Sequence, residues 1–257
     1  MWFSEKSNDH LFRDIDKKQK DDVVEKIIES SCPRKSFFVM IIASSLICTL
    51  GILTNNAAVI IGAMLVAPML AAVLAVSLGI VMADFKLLFR STRVLFEGFL
   101  FSLGFSLLLA MALERPETIN HEMFLRTDLT IEGFIIAMVA GMAAAMSFVR
   151  EELSQYITGT VIAVALVPPV STAAIALRML EMEMFYSSLT VFASHIAGII
   201  LSSILVFSLT KFYSSQKKVD EELKEEDELL NQEEAPKKEE GGIRELLRDI
   251  KNLVSFK

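Results

Sequence analysis

The chain has 257 residues, 53% of them hydrophobic, with a formal net charge of −7 and a mean hydropathy of +0.49. Several uncharged apolar runs near 20 residues exclude an ordinary soluble domain and predict an integral membrane protein. The acids gather in the C-terminal tail, so the net charge says little about partners; no aromatic-interleaved basic patch occurs, and no nucleic-acid partner is expected.

Residues 1–35 hold eight Lys and Arg, and Leu11, Ile15, Val23, Val24, Ile27 and Ile28 mark a broken helical stripe. They predict a cytoplasmic amphipathic helix, on the membrane surface or against the protein itself, ended near Cys32-Pro33. Too little apolar surface is present for a separate soluble core. No cleavable signal peptide is expected, because this stretch lacks a short apolar segment.

A transmembrane domain is predicted over residues 36–210, with spans at about 37–53, 57–82, 94–113, 131–149, 157–177 and 186–209. Only Thr54-Asn55-Asn56 separates the first two spans, which suits a tight helical hairpin. Asn55 and Asn56 are read as its caps, with an entrance role as the alternative. The second span is long: Asn55 to Met82 as one helix would run roughly 40 Å, more than the roughly 30 Å of a bilayer core. Pro68 marks where it gives way. It has no N–H for the carbonyl of Met64, and its ring pushes Ala67 out of helical geometry. In lipid, such loosened backbone must be buried in protein or line a wet cavity.

Asp84, Lys86, Arg90 and Arg93 read as a short charged loop before the third span. Glu97 lies about one turn inside that span and four residues after Arg93, so an interfacial ion pair explains it, with proton handling as the second reading. The fourth span is rich in Ala, Gly and Met. The fifth contains Val167-Pro168-Pro169-Val170-Ser171-Thr172, where successive prolines predict a helix break. The hydroxyls of Ser171 and Thr172 can satisfy freed carbonyls, and the same groups can coordinate an ion or a solute. His195 sits about two turns into the sixth span, as a hydrogen-bonded packing residue or a proton-coupling one. Residues 211–242 read as an acidic solvated linker. In 243–257, Ile243, Leu246, Leu247, Ile250, Leu253 and Val254 mark a terminal amphipathic helix, which suits membrane-surface contact or a short oligomer-forming coil.

With both termini cytoplasmic, 22 of the 25 Lys and Arg fall on the inner side. That asymmetry predicts a multi-pass protein of the cell membrane in this orientation. Setting Pro169 on Pro68 aligns residues 60–68 with 161–169, apolar on apolar and small on small. Each proline segment is the middle span of a three-span half, and three is odd, so the second half is inverted. The predicted fold is all-α: a six-span bundle of two inverted halves with proline-broken middle helices, the plan of many secondary transporters. Small residues recur every fourth position, as in Ala63, Ala67, Ala71, Ala75 and Gly79, and let helices approach closely. Such packing also predicts a homo-oligomer.

His10, His121 and His195 are scattered, the two cysteines have no metal spacing, and no nucleotide or nucleophile motif occurs. The chain is therefore read as a non-enzyme without cofactor or metal. The candidate pathway is Ala67, Pro68, Val167, Pro168, Pro169, Ser171 and Thr172, with His195 and Glu97 as candidates for proton coupling. Its partners are the lipid bilayer and an unknown small solute or ion. The reading from another class is a non-transporting scaffold or assembly protein whose prolines only shape the bundle.

The blocks Thr54-Asn55-Asn56 through Ile60-Ile61-Gly62-Ala63-Met64-Leu65 to Pro68-Met69, then Gly79, Asp84, Leu87 and Arg90, Arg126-Thr127, Ala140-Gly141, and Ala165-Leu166-Val167-Pro168-Pro169 resemble the DUF389 (uncharacterised hydrophobic domain) family. The resemblance covers about residues 36–210. It implies a polytopic bacterial or archaeal membrane protein and leaves the activity open. The family often has an asparagine where this chain has His195, which separates that position from any shared role. Many members carry a larger soluble N-terminal domain, and regulation through one is not expected here.

Overall fold

The computed structural model describes residues 17–113, 116, 118–150, 153, 166–212 and 216–234. Among these, all regular structure is helical. Leu11, Ile15, the first half of the predicted fifth span and the terminal amphipathic helix lie outside the described residues.

The first helix, α1 (Lys17–Ser30), buries Val23, Val24, Ile27 and Ile28. It packs on α4 (Met69–Met82), α7 (Ile131–Val149) and α10 (Gln216–Glu234), so its apolar stripe faces the protein itself. The expected solvated linker is thus a helix over Gln216–Glu234. Composition alone misleads there, because Val219 and Leu223 form a small buried stripe and Lys218 pairs with Glu222 at 2.6 Å one turn on.

Three helix-to-helix turns share one construction. Between α2 (Lys35–Leu53) and α3 (Ala57–Val66), Asn55 takes the left-handed conformation at φ 52°. Asn56 follows as N-cap, its side chain accepting from Val59 N–H at 3.2 Å and its own N–H donating to Gly51 O at 2.8 Å. Between α4 and α5 (Phe85–Ala112), Ala83 is left-handed at φ 53°. Asp84 caps Leu87 N–H at 2.9 Å and donates its own N–H to Gly79 O at 3.0 Å. Between α8 (Val167–Met179) and α9 (Met182–Leu209), Leu180 is left-handed at φ 61°, and Glu181 N–H donates to Ala176 O at 3.0 Å. These bonds satisfy carbonyls that a helix end leaves open. The small residue at the accepting position is sterically required: a Cβ on Gly79 would lie 2.9 Å from Leu88 N, and one on Gly51 2.8 Å from Ile60 Cγ1.

Because Ala83 and Asp84 complete this turn, α5 already starts at Phe85. Lys86, Arg90 and Arg93 therefore ride on its first turns and form no loop. The helices that contain the predicted third and sixth spans start earlier than those spans, at Phe85 and Met182. The long second span bends by 52° between α3 and α4. Four helices are long and apolar enough to cross a membrane, α2, α5, α7 and α9, or five counting the bent α3–α4 pair as one span. The described part of the fifth predicted span, α8, has 13 residues and is too short to cross alone. Among the described residues the count is thus four or five spans, and the first half of the predicted fifth lies outside them.

The helix pattern recurs along the chain. The 19 residues of α2 match the 19 of α7 at an offset of 96, and the 28 of α5 match the 28 of α9 at 97. Buried Leu87, Ser91, Val94, Ser102, Ser106 and Ala110 on α5 correspond at 97 to Met184, Ser188, Val191, Ile199, Ser203 and Phe207 on α9, all buried. The crossings correspond too: Gly98 lies against Phe37 as His195 lies against Gly133, and Ser102 against Ser45 as Ile199 against Gly141. Each long helix also packs on the other half's short helix, α5 on α8 and α9 on α4.

Candidate functional site

Ala67 leaves the helix with extended backbone, φ −75° and ψ 120°, and Pro68 is the N-cap of α4. One turn earlier, the Ala63 carbonyl accepts from Ser44 Oγ at 2.7 Å, which ties α3 to α2 just before the bend. Pro68 lines a cavity of about 300 Å³ with Glu29, Ser30, Cys32, Arg34, Ser36, Phe37 and Met40. The break thus opens toward the α1–α2 linker.

Pro168 and Pro169 occupy a different place. They sit in the first turn of α8, where a helix start leaves its N–H groups unpaired, and Leu166 through Thr172 are all buried. Proline has no N–H to strand there, so both residues relieve a buried helix start of donors it could not satisfy. They stand at the start of α8, and the residues before Leu166, on which the expected mid-helix break depends, lie outside the described residues. Pro68 and the proline pair share none of the cavities described, and the proline alignment is one helical turn off the offset of 97 that relates the helices.

Beside the proline pair lies a buried set of hydroxyls joining α2, α5 and α8. Ser45 Oγ is 2.9 Å from Ser102 Oγ, and one turn along α5, Ser106 Oγ is 3.0 Å from Ser171 Oγ. All four residues are fully buried. Thr172, also 0% exposed, has a hydroxyl with no hydrogen-bond partner. Ser171 and Thr172 were legible in the sequence, whereas Ser45, Ser102 and Ser106 were not; the signal for the last two is that Gly98, Ser102, Ser106 and Ala110 recur every fourth position on α5.

The remaining candidates are separate. Glu97 Oε1 accepts from Arg93 Nε at 2.7 Å, with the Glu97 side chain 30% exposed. It borders a cavity of about 400 Å³ that also involves Pro33, Phe38, Arg90, Val94, Asp227 and Leu230. His195 is half-buried where α9 crosses the start of α7, its Nε2 3.8 Å from where a Gly133 Cβ would stand. Asn55 and Asn56 hold the α2–α3 turn, and Asn55 Oδ1 also accepts from Glu122 N–H at 3.1 Å. Asn120 reaches the same turn from the other side, donating from Nδ2 to Ile52 O at 2.7 Å. No group of three or more His, Cys, Asp or Glu side chains that could hold a metal occurs among the described residues.

Residues 64–201 match the family model described as Domain of unknown function (DUF389). The chain belongs to the DUF389 family. It is also 32% identical over 178 residues, 68% of its length, to an uncharacterised protein of Methanocaldococcus jannaschii. The chain spans about half of that curated relative, 54% of its length. No solved structure matches the chain. With the apolar helices, these matches make it a membrane protein of the DUF389 family, a family whose name states no activity. The matched region runs from the α3–α4 bend to the second half of α9, so it contains the proline-led α8 and its hydroxyls.

Proposed function

We propose that this DUF389 protein is a carrier or channel-like transporter of a small polar solute or ion, with its site at the hydroxyls of Ser106, Ser171 and Thr172. One observation carries this reading: the Thr172 hydroxyl is fully buried and unpartnered. Such a group costs about 1–3 kcal/mol unless a water, ion or solute meets it. The recurrence of α2, α4 and α5 in α7, α8 and α9 supports two halves related by a two-fold axis in the membrane plane, the arrangement that suits alternating access. The Lys and Arg asymmetry supports a cell-membrane protein with both termini cytoplasmic. The chain is read as a non-enzyme, and close helix packing supports a homo-oligomer.

The test uses purified protein in liposomes with a panel of solutes. Thr172→Val keeps the side-chain shape and removes the hydroxyl, so flux is expected to fall at least about tenfold while thermal stability is kept or rises. Flux equal to wild type would remove the site assignment. A scaffold is the second reading, favoured by the absence of Pro168, Pro169, Ser171 and Thr172 from the linings of the described cavities. It predicts no flux for any solute and an unchanged bundle on substitution.

A further inference from the structure

The start of α5 carries two adjacent stripes of opposite character. Phe85 and Phe89, one turn apart, are 82% and 76% exposed. Beside them stand Lys86, Arg90 and Arg93, with the side chains of Lys86 and Arg93 more than 70% exposed. Large aromatic faces next to Lys and Arg at the end of an apolar helix are what a membrane interface selects. The rings enter the headgroup layer while the cations meet lipid phosphates.

The acidic helix α10 lies on these same cations. Asp227 Oδ1 is 2.8 Å from Arg90 Nη1, Asp220 Oδ1 is 3.7 Å from Lys86 Nζ, and Glu226 Oε1 is 2.7 Å from Arg34 Nη2. Arg90 also donates to the Leu223 carbonyl at 3.2 Å. Otherwise α10 packs on α1, where Val219 and Leu223 are its buried apolar residues and Lys218 Nζ lies 3.5 Å from Glu25 Oε2. Its sequence has nine acids against three lysines, with like charges one turn apart at Glu221 and Glu225 and at Glu222 and Glu226. A helix of that composition is weak alone and depends on the surface it docks to.

We propose that the basic start of α5 is a docking surface for anionic phospholipid headgroups, and that α10 is its intramolecular competitor. Lipid phosphate and the α10 carboxylates offer the same chemistry to Lys86 and Arg90, so one displaces the other. The inference is independent of whether anything crosses the bundle. It reaches the cavity at Pro68 all the same, because Arg34 lines that cavity and is held by Glu226.

Cys32 reports the exchange. Its thiol is buried beneath α10, 3.7 Å from Arg90 Nη2, and burial with Glu226 nearby pushes it up to about 12 from an ordinary 9.0. It is unreactive while α10 is docked and regains reactivity when α10 leaves. The full chain is placed in nanodiscs of phosphatidylcholine alone or with about 30% phosphatidylglycerol. It is then treated with an uncharged, bilayer-excluded maleimide at low ionic strength, with Cys32→Ala as background. Labelling about tenfold faster in the anionic discs is expected, given roughly fivefold per cation near such a surface. Asp220→Asn with Asp227→Asn should label fast in both discs, and inorganic phosphate at matched ionic strength should not substitute for the lipid. Equal labelling of the wild type in the two discs, fast or slow, overturns the proposal, as does an equal response to free phosphate.

Discussion

Glycines at helix crossings are the residues least free to change. Gly141 lets α7 meet α9 so closely that a Cβ there would lie 2.7 Å from Ile199 Cα and 2.5 Å from Ser202 Oγ. The nearer atom can rotate away, but the Cα cannot, so the helices must separate. Gly141→Ala is expected to cost about 1–3 kcal/mol, read as a fall in melting temperature of the detergent-solubilised protein. The separation would also weaken the contact of Ser203 Oγ with Gly141 O at 3.3 Å. Thr172 is the opposite case. It contributes no hydrogen bond to the fold, so replacing it by valine should spare stability, and a loss of flux would then report function alone.

At the scale of elements, the repeated two-residue turn sets helix lengths and directions. Its left-handed position holds Leu180 at φ 61°, a conformation in which a side chain is strained and a glycine is not. Leu180 is 71% exposed, so little packing is lost on truncation. Leu180→Gly should therefore stabilise by about 0.5–1 kcal/mol, the relief of strain outweighing the added freedom of the unfolded chain. Asp84→Ala should destabilise by about 1 kcal/mol, because Leu87 N–H loses its cap. Thermal or denaturant unfolding of the two variants reads both signs. The turns were partly legible: Asn55-Asn56 announced one, and Asp84 was visible as a charge. What hid Asp84's role was the string of bases behind it, which reads as a loop until the cap shows that they lie on a helix.

For the whole molecule, the orientation carries a direct test. Ile119 is 49% exposed in the segment before α6 (His121–Phe124), on the side of the α2–α3 turn. Ile119→Cys should react with an impermeant thiol reagent added outside intact cells, over a low background from buried Cys32 and Cys48. Reaction from the cytoplasmic side alone would reverse the orientation. The ion pairs of α10 with Arg34, Lys86 and Arg90 belong to this scale too, since they join the two ends of the chain across its first helices. Surface pairs of this kind weaken with salt, so the docked state is sensitive to ionic strength in a way the apolar bundle is not.

Residue type and hydropathy alone determined that the chain is helical and membrane-embedded, and the IGAML and ALVPP blocks alone named its family. These are local properties: an apolar run must hydrogen-bond within itself in lipid, and a short motif is read without knowing its neighbours. Three matters waited for the tertiary structure. Pro68 is the N-cap of α4 after a 52° bend and Pro168-Pro169 lie in the buried first turn of α8, placements that depend on where each helix starts. The acidic stretch Gln216–Glu234 is a helix whose Val219 and Leu223 are buried and whose acids meet bases distant in sequence. Ser45 meets Ser102 and Ser106 meets Ser171 because three helices bring them together, and no spacing along a single helix encodes that meeting.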